Sequence, residues 1–430
     1  MMIDLFYAAL HGILIGLCPI GFVIVAALFT FKICEVTDAI TTIRRALSSV
    51  STDPAILILI VAWGFGNFME GIAGFGTAVA IPAAILSGFG IEPIKAICLC
   101  LIANTLATGF GAVGVAIITL SGITGLDLET LARTASLPLA CVSLPIPFIL
   151  VFVQGGWKQI RRSFLFCALA SLGFAVPTLL LPRLTGVELP TILGGLITIV
   201  LLVLAAPRSR AACESRVPFG KLLYAALPFL SVILALTLYA LALPNSIKSR
   251  LTPGAVILVG AIFGGVCLKV TPYGMLRIAW ATLIKAKRAL ITICVILAFA
   301  KILEQAGLIR AFAALIVDTF GSGYAFAATL VGAAGSALTG SGTSSCVLFG
   351  TLQRDAALDL NLNAYLFAAA NILGAGIGKM ICPQSIAIGM AAVGLTGCEG
   401  KILKRVLPYF LLLALFATTL VGLLSRVTPD

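Results

Sequence analysis

The chain has 430 residues, 61% hydrophobic and only 10% charged, against about 25% charged in a soluble globular chain. With a mean hydropathy of +1.17 it cannot coat itself as a soluble enzyme, nor stay disordered, which needs low hydrophobicity and high charge; its long apolar blocks also exclude a transmembrane β-barrel. The net charge of +12 reads as basic loops facing one side of a membrane and not as a nucleic-acid surface. The expected class is an all-α polytopic membrane protein.

Residues 5–31 form the first span, too long and too poor in basic residues at its start for a removable signal peptide. His11, within it, is the chain's single histidine. A His-based metal centre or a Ser–His–Asp triad is therefore not expected. Over 35–52, Ile40, Ile43 and Leu47 fall at helical spacing opposite Arg44 and Arg45. That pattern predicts an amphipathic helix lying in the interface.

Residues 54–90 are apolar but broken by Glu70-Gly-Ile-Ala-Gly-Phe-Gly-Thr77. The two arms are each short for a span, so a re-entrant helical hairpin with a Gly-rich tip is expected, shielded by protein or lining a watery cavity. The next span, 93–120, carries Asn104-Thr105 and then Gly109, Gly111 and Gly114. Gly109–Gly114 also spells G-x-G-x-x-G, but no strand precedes it, so the dinucleotide reading fails. Spans follow at about 131–153, 163–182, 189–206, 222–243, 251–268 and 289–303.

A second amphipathic stretch covers 305–320. A second broken segment, 322–358, centres on Thr339-Gly-Ser-Gly-Thr-Ser-Ser345, and a second interrupted span, 362–397, carries Asn371, Gly374, Gly376, Gly378, Lys379 and Pro383. The last span is 406–425. With the N-terminus outside, the loops 32–53, 154–162, 207–221, 269–288 and 398–405 fall inside and hold more than half of the 28 Lys and Arg. The positive-inside bias thus favours about ten spans plus two hairpins, with both termini outside. The twelve cysteines are scattered in apolar segments without metal-ligand spacing and read as packing residues.

The order span, interfacial helix, hairpin, broken span, span occurs twice, in 5–153 and 289–425, with 154–288 between. Gly76-Thr77 maps onto Gly342-Thr343, and Asn104 onto Asn371. The copies begin on opposite sides, so 1–430 reads as one transport domain of two inverted repeats. That is the signature of a secondary transporter with a midplane site.

A helix ending inside the membrane presents free N–H groups and a partial positive charge at its N-terminus, and can hold a carboxylate. The tips Gly74-Phe-Gly-Thr77 and Ser341-Gly-Thr-Ser-Ser345 would aim amides and hydroxyls at a small anion, with the unwound stretches 104–111 and 371–383 adding side-chain amides and open backbone. The competing reading is that these small residues only let helices pack closely. Two charges stand alone in long apolar runs, Glu70 and Lys379, each costing about 2.5–3.5 kcal/mol at a helix centre. Lys379 is the candidate counter-ion of an anionic substrate. Glu70 is the candidate proton carrier, because burial disfavours a charged carboxyl. A purely structural Glu70–Lys379 pair is the alternative.

Phe68-Met-Glu-Gly-Ile-Ala-Gly-Phe-Gly-Thr-Ala-Val-Ala-Ile81 resembles the first hairpin of the lactate permease family, and Cys100-Leu-Ile-Ala-Asn-Thr105 follows at the expected place. Leu338-Thr-Gly-Ser-Gly-Thr-Ser-Ser345 resembles its second hairpin, and Gly378-Lys-Met-Ile-Cys-Pro-Gln-Ser-Ile-Ala-Ile388 its second broken span. The sequence departs from the family at Ala78, where Pro is usual, and at Gly342 and Cys346, where Asp and Asn are usual. The resemblance implies import of lactate or glycolate with protons in a bacterial or archaeal plasma membrane. The breaks and the lone charges give an expected substrate site of Gly74, Gly76, Thr77, Asn104, Thr105, Thr339, Ser341, Thr343, Ser344, Ser345, Asn371, Lys379, Gln384 and Ser385, with Glu70 in proton coupling. The expected partners are a small carboxylate anion and the lipid bilayer, with no nucleic acid; a homodimer is expected by analogy with the wider superfamily. No cofactor is expected beyond the coupling ion, H⁺ or alternatively Na⁺. A sodium-coupled carrier of another small organic anion is the alternative function.

Overall fold

The structure, a computed structural model, describes residues 2–48, 50–72, 74, 76–207, 217–242, 252–307, 315, 318–319 and 321–427. Among these residues the regular structure is all helical. Six helices are long and apolar enough to cross a membrane by length and composition, and shorter apolar helices of 10–17 residues fill out the bundle.

The first helical run is α1 (Met2–Ile15), a π-helical turn and α2 (Phe22–Val36). The amphipathic stretch becomes α3 (Ala39–Ser48), with Ile40 and Ile43 buried and Arg45 exposed. The first hairpin starts with α4 (Pro54–Ile58), capped by Asp53, whose side chain accepts from the Ala55 amide. A π-helical turn and α5 (Gly66–Ile72) complete this arm, 19 residues long and buried from Ala55 onward. After the tip the chain reverses into α6 (Thr77–Gly88), which packs back on α5. The arms are unequal, 19 and 12 residues, because the break follows Ile72 instead of bisecting the segment.

The first broken span is α7 (Pro93–Ala103) and α8 (Gly111–Thr124), separated by turns. Then come α9 (Leu128–Ser143), α10 (Ile146–Arg162), α11 (Phe164–Thr185), α12 (Pro190–Ala205), α13 (Phe219–Ala242) and α14 (Pro253–Cys267). The expected inside loop over 269–288 is largely absent: α15 runs unbroken from Pro272 to Gln305, 34 residues. Lys and Arg are good helix formers, so a cluster of charge moved the membrane boundary in the sequence pattern without ending the helix. At about 1.5 Å per residue it is longer than a bilayer core. The amphipathic stretch expected at 305–320 lies mostly outside the described residues, as does most of the loop 207–221.

The second hairpin is α16 (Tyr324–Thr339) and α17 (Gly342–Asp359). Its arms are joined by side chains: Tyr324 Oη donates to Gln353 Oε1 at 2.8 Å, and Ser345 Oγ donates to the Gly332 carbonyl at 2.7 Å. The second broken span is α18 (Ala364–Gly378), a 3₁₀ turn over Lys379–Ile381, and α19 (Pro383–Ala392); α20 (Glu399–Val427) ends the fold. The unwound part is thus shorter than the 371–383 expected, because Asn371 and its three glycines stay helical. Those glycines serve close packing. A Cβ on Gly374 would collide with the Thr329 carbonyl oxygen of α16, and one on Gly378 with that of Ala333.

The two hairpins and two broken spans interlock crosswise. The second arm of hairpin 1, α6, packs against α19; the second arm of hairpin 2, α17, packs against α8. Likewise α18 lies against α9, and α7 against α20. The scaffold fixes hairpin 1 from outside, where Trp63 Nε1 donates to the Ala170 carbonyl of α11 at 3.0 Å and Gly195 of α12 lets α5 approach.

Candidate functional site

A cavity of about 360 Å³ opens where both hairpin tips meet both breaks. Hairpin 1 contributes Glu70, Gly74, Gly76 and Val79; the first broken span gives Asn104, Thr108, Gly111, Ala112 and Ala116. Hairpin 2 brings the run Thr339–Ser344, and the second broken span Lys379, Gln384, Ser385 and Ile388.

The local backbone puts helix N-termini on this wall. Gly76, the N-cap of α6, sits at φ 85°, which glycine alone adopts without cost. Ser341 caps α17 by accepting from the Ser344 amide at 3.2 Å, which leaves the Gly342 and Thr343 amides as first-turn donors beside the cavity. Gln384 and Ser385 lie in the first turn of α19. Gly111 and Ala112 open α8 through a left-handed turn in which Ala112 has φ 44° and Val113 φ 58°. A β-branched residue there is an outlier. Such strain costs about 1–3 kcal/mol per residue and gathers at functional sites.

At the centre, Lys379 Nζ donates to Glu70 Oε1 at 2.8 Å and to Thr108 Oγ1 at 3.1 Å. Both charges are nearly buried, with side chains 11% and 5% exposed. The other carboxylate oxygen, Glu70 Oε2, is buried without a hydrogen-bond partner. Lys379 stands as the C-cap of α18, where the negative end of the helix favours a cation. Among the described residues lining the cavity, these two are the only formal charges. The pair read from sequence as an alternative to function is therefore present, and it stands in the wall of the cavity.

Eleven of the fifteen residues singled out from sequence line this space: Glu70, Gly74, Gly76, Asn104, Thr339, Ser341, Thr343, Ser344, Lys379, Gln384 and Ser385. Four do not. Thr77 turns its hydroxyl back to the Gly74 carbonyl at 2.7 Å, and Thr105 bonds the Ile102 carbonyl at 2.6 Å. Ser345 is spent on the Gly332 carbonyl across hairpin 2, and Asn371 is fully buried beside Cys346. A Thr or Ser one helical turn inside a helix meets its own backbone first. Sequence reading passed over Thr108, although Asn104 and Thr108 are four apart in the same break. It also missed the apolar wall of Val79, Ala112, Ala116 and Ile388, which carries no polar signal.

Comparison with known proteins adds an independent view. The family model for L-lactate permease matches residues 2–249 and 221–428. An L-lactate permease of Streptococcus iniae is 36% identical over 84% of this chain and 82% of its own length. One from Salmonella typhimurium is 31% identical over 98% and 86%, and the glycolate permease GlcA of Escherichia coli is 31% identical over 96% and 86%. Among solved structures, Neisseria gonorrhoeae MtrF, described as an antimetabolite efflux pump, shares the fold at a TM-score of 0.57 and 14% identity, over 98% of this chain and 83% of its own. The Alcanivorax borkumensis YdaH transporter matches at 0.56 and 17% identity, over 99% and 89%.

Proposed function

The chain belongs to the L-lactate permease family, and from that premise we propose that it carries a small 2-hydroxymonocarboxylate, lactate or glycolate, into the cell together with protons, by alternating access. The observation that carries this reading is the cavity wall. A lysine ammonium and the N-terminal turns of three helices, α6, α17 and α19, converge on one space whose single carboxylate is already paired. That electrostatics suits one monovalent anion.

Charge balance supplies the coupling. With Glu70 ionised, Lys379 is neutralised and offers an incoming anion little. A proton on Glu70, whose Oε2 is free to take it, releases the ammonium for the substrate carboxylate. Proton and anion then bind together, and the loaded centre keeps the charge of the empty one. Asn104, Thr339, Thr343 and Ser344 supply donors and acceptors for the carboxylate and the 2-hydroxyl; Val79, Ala112, Ala116 and Ile388 face the carbon chain. Unwound carbonyls with Thr and Asn oxygens also suit a sodium ion; the observation that favours H⁺ is a buried carboxyl whose Oε2 has no hydrogen-bond partner.

The test is uptake of labelled lactate and glycolate into proteoliposomes under separate pH and Na⁺ gradients. The reading expects accumulation driven by an inward proton gradient. Accumulation driven by Na⁺ alone would reject the proton coupling, and no transport of either acid would reject the substrate.

A further inference from the structure

We propose that Thr108 is a positioning residue that keeps the Lys379 ammonium aimed into the cavity once Glu70 is protonated, and that it ties this state to the tip of hairpin 2. The inference deepens the transport reading and rests on it.

Lys379 has three N–H donors. One goes to Glu70 and one to Thr108. A third remains on a residue that lines the cavity. When a proton neutralises Glu70, the bond from Lys379 to Oε1 loses its ionic partner and weakens, and a flexible four-carbon stem carries a buried charge. Thr108 Oγ1 is then the acceptor that the proton does not weaken. It stands in the break between α7 and α8, so it holds a lysine of one broken span from the backbone of the other.

The same residue touches hairpin 2. A Cβ built on Gly342 would fall closer to Thr108 Cγ2 than real carbons approach. The first residue of α17 is therefore seated directly on the Thr108 methyl group. One small side chain thus meets three elements: its hydroxyl holds Lys379, its methyl supports the tip of hairpin 2, and its backbone belongs to the first break. Movement of that tip is transmitted to the ammonium.

Among the described residues lining the cavity, no other charge stands beside the pair. The elements packed against α5 are the π-helical turn before it, α2, α6, α7, α8 and α12, and those packed against the Lys379 turn are α7, α16, α18, α19 and α20. Their described charges are Lys32 and Glu35, which pair with each other at 2.8 Å, Lys95, which donates to the Gln154 carbonyl at 2.9 Å, and on α20 Glu399, Lys401, Lys404, Arg405 and Arg426, of which Arg405 pairs with Glu92 at 3.0 Å. Cys34, Cys98 and Cys100 on the same elements are buried free thiols outside the cavity lining.

Two consequences separate this role from simple packing. Removing the hydroxyl leaves Lys379 dependent on the ionised Glu70. Thr108→Val should then shift the pH profile of substrate binding toward acid and weaken binding by about tenfold, while T108S keeps both properties. Gly342→Ala should disturb the site by striking Cγ2, and T108S, which lacks that methyl but keeps the hydroxyl, should restore it. The experiment measures equilibrium binding of labelled lactate and of labelled glycolate across pH, and the melting temperature across pH without ligand, for wild type, T108V, T108S, G342A and the T108S/G342A double variant. The proposal expects an acid shift in T108V alone among the Thr108 variants, a destabilised G342A, and rescue in the double variant. A T108V profile that superimposes on wild type, or a double variant no better than G342A, overturns it. If wild type binds neither lactate nor glycolate, the substrate reading fails, and the melting profiles still decide the role of Thr108.

Discussion

Glu70 and Lys379 are worth more together than apart. Removing one member of a buried pair strands the other and costs about 3–5 kcal/mol, whereas replacing both with apolar residues is close to neutral. Glu70→Leu and Lys379→Met should each reduce the yield of folded protein on size-exclusion chromatography, and the double variant should recover much of it while transporting nothing. Equal loss in all three would show that the pair contributes nothing as a pair. Glu70→Gln keeps an acceptor for Lys379 and mimics the protonated carboxyl. It should retain lactate exchange across the membrane while losing accumulation driven by a pH gradient. Both residues were legible in the sequence because charge is costly in an apolar run. Thr77, Thr105, Ser345 and Asn371 looked equivalent to their neighbours in sequence. Which Ser or Thr hydroxyl faces a cavity depends on the helical phase at the break, and composition does not carry that phase. Thr108 was hidden for the same reason, as a common residue whose role lies in what stands opposite it.

At the scale of the element, two kinds of glycine behave differently. Gly374 lies where α16 and α18 cross, and a methyl there would collide with the Thr329 carbonyl. Gly374→Ala should destabilise the protein by about 1–3 kcal/mol through overpacking, seen as a lower melting temperature. Ala112, by contrast, holds a left-handed conformation that glycine adopts freely. Ala112→Gly should fold at least as well as wild type, and a drop in melting temperature comparable to that of G374A would show that the left-handed turn is not strained. The sequence marked both breaks, because Gly, Ser, Thr and Asn cluster there against an apolar background. It misread Gly374, Gly376 and Gly378 as part of the second break when they permit close packing within α18. It also divided α15, because hydropathy reports where the chain leaves lipid and helix propensity reports where a helix ends; from Pro272 to Gln305 the two part company.

Over the whole molecule, the contacts α6–α19 and α8–α17 place each hairpin's second arm against the other half's broken span. We propose that this crosswise packing joins two inverted repeats at a shared site, the arrangement that alternating access needs. The class of fold was legible from length, charge and the pattern of breaks. The junction itself was not, since it depends on which helices from opposite ends of the chain become neighbours. The central claim is that one proton and one 2-hydroxy acid enter this junction together. Its most direct test is accumulation of labelled L-lactate in proteoliposomes under an inward proton gradient, with wild type and E70Q side by side. The account predicts concentrative uptake by wild type that collapses when a protonophore is added, and none by E70Q. Equal accumulation by E70Q, or uptake by wild type indifferent to the protonophore, would contradict it.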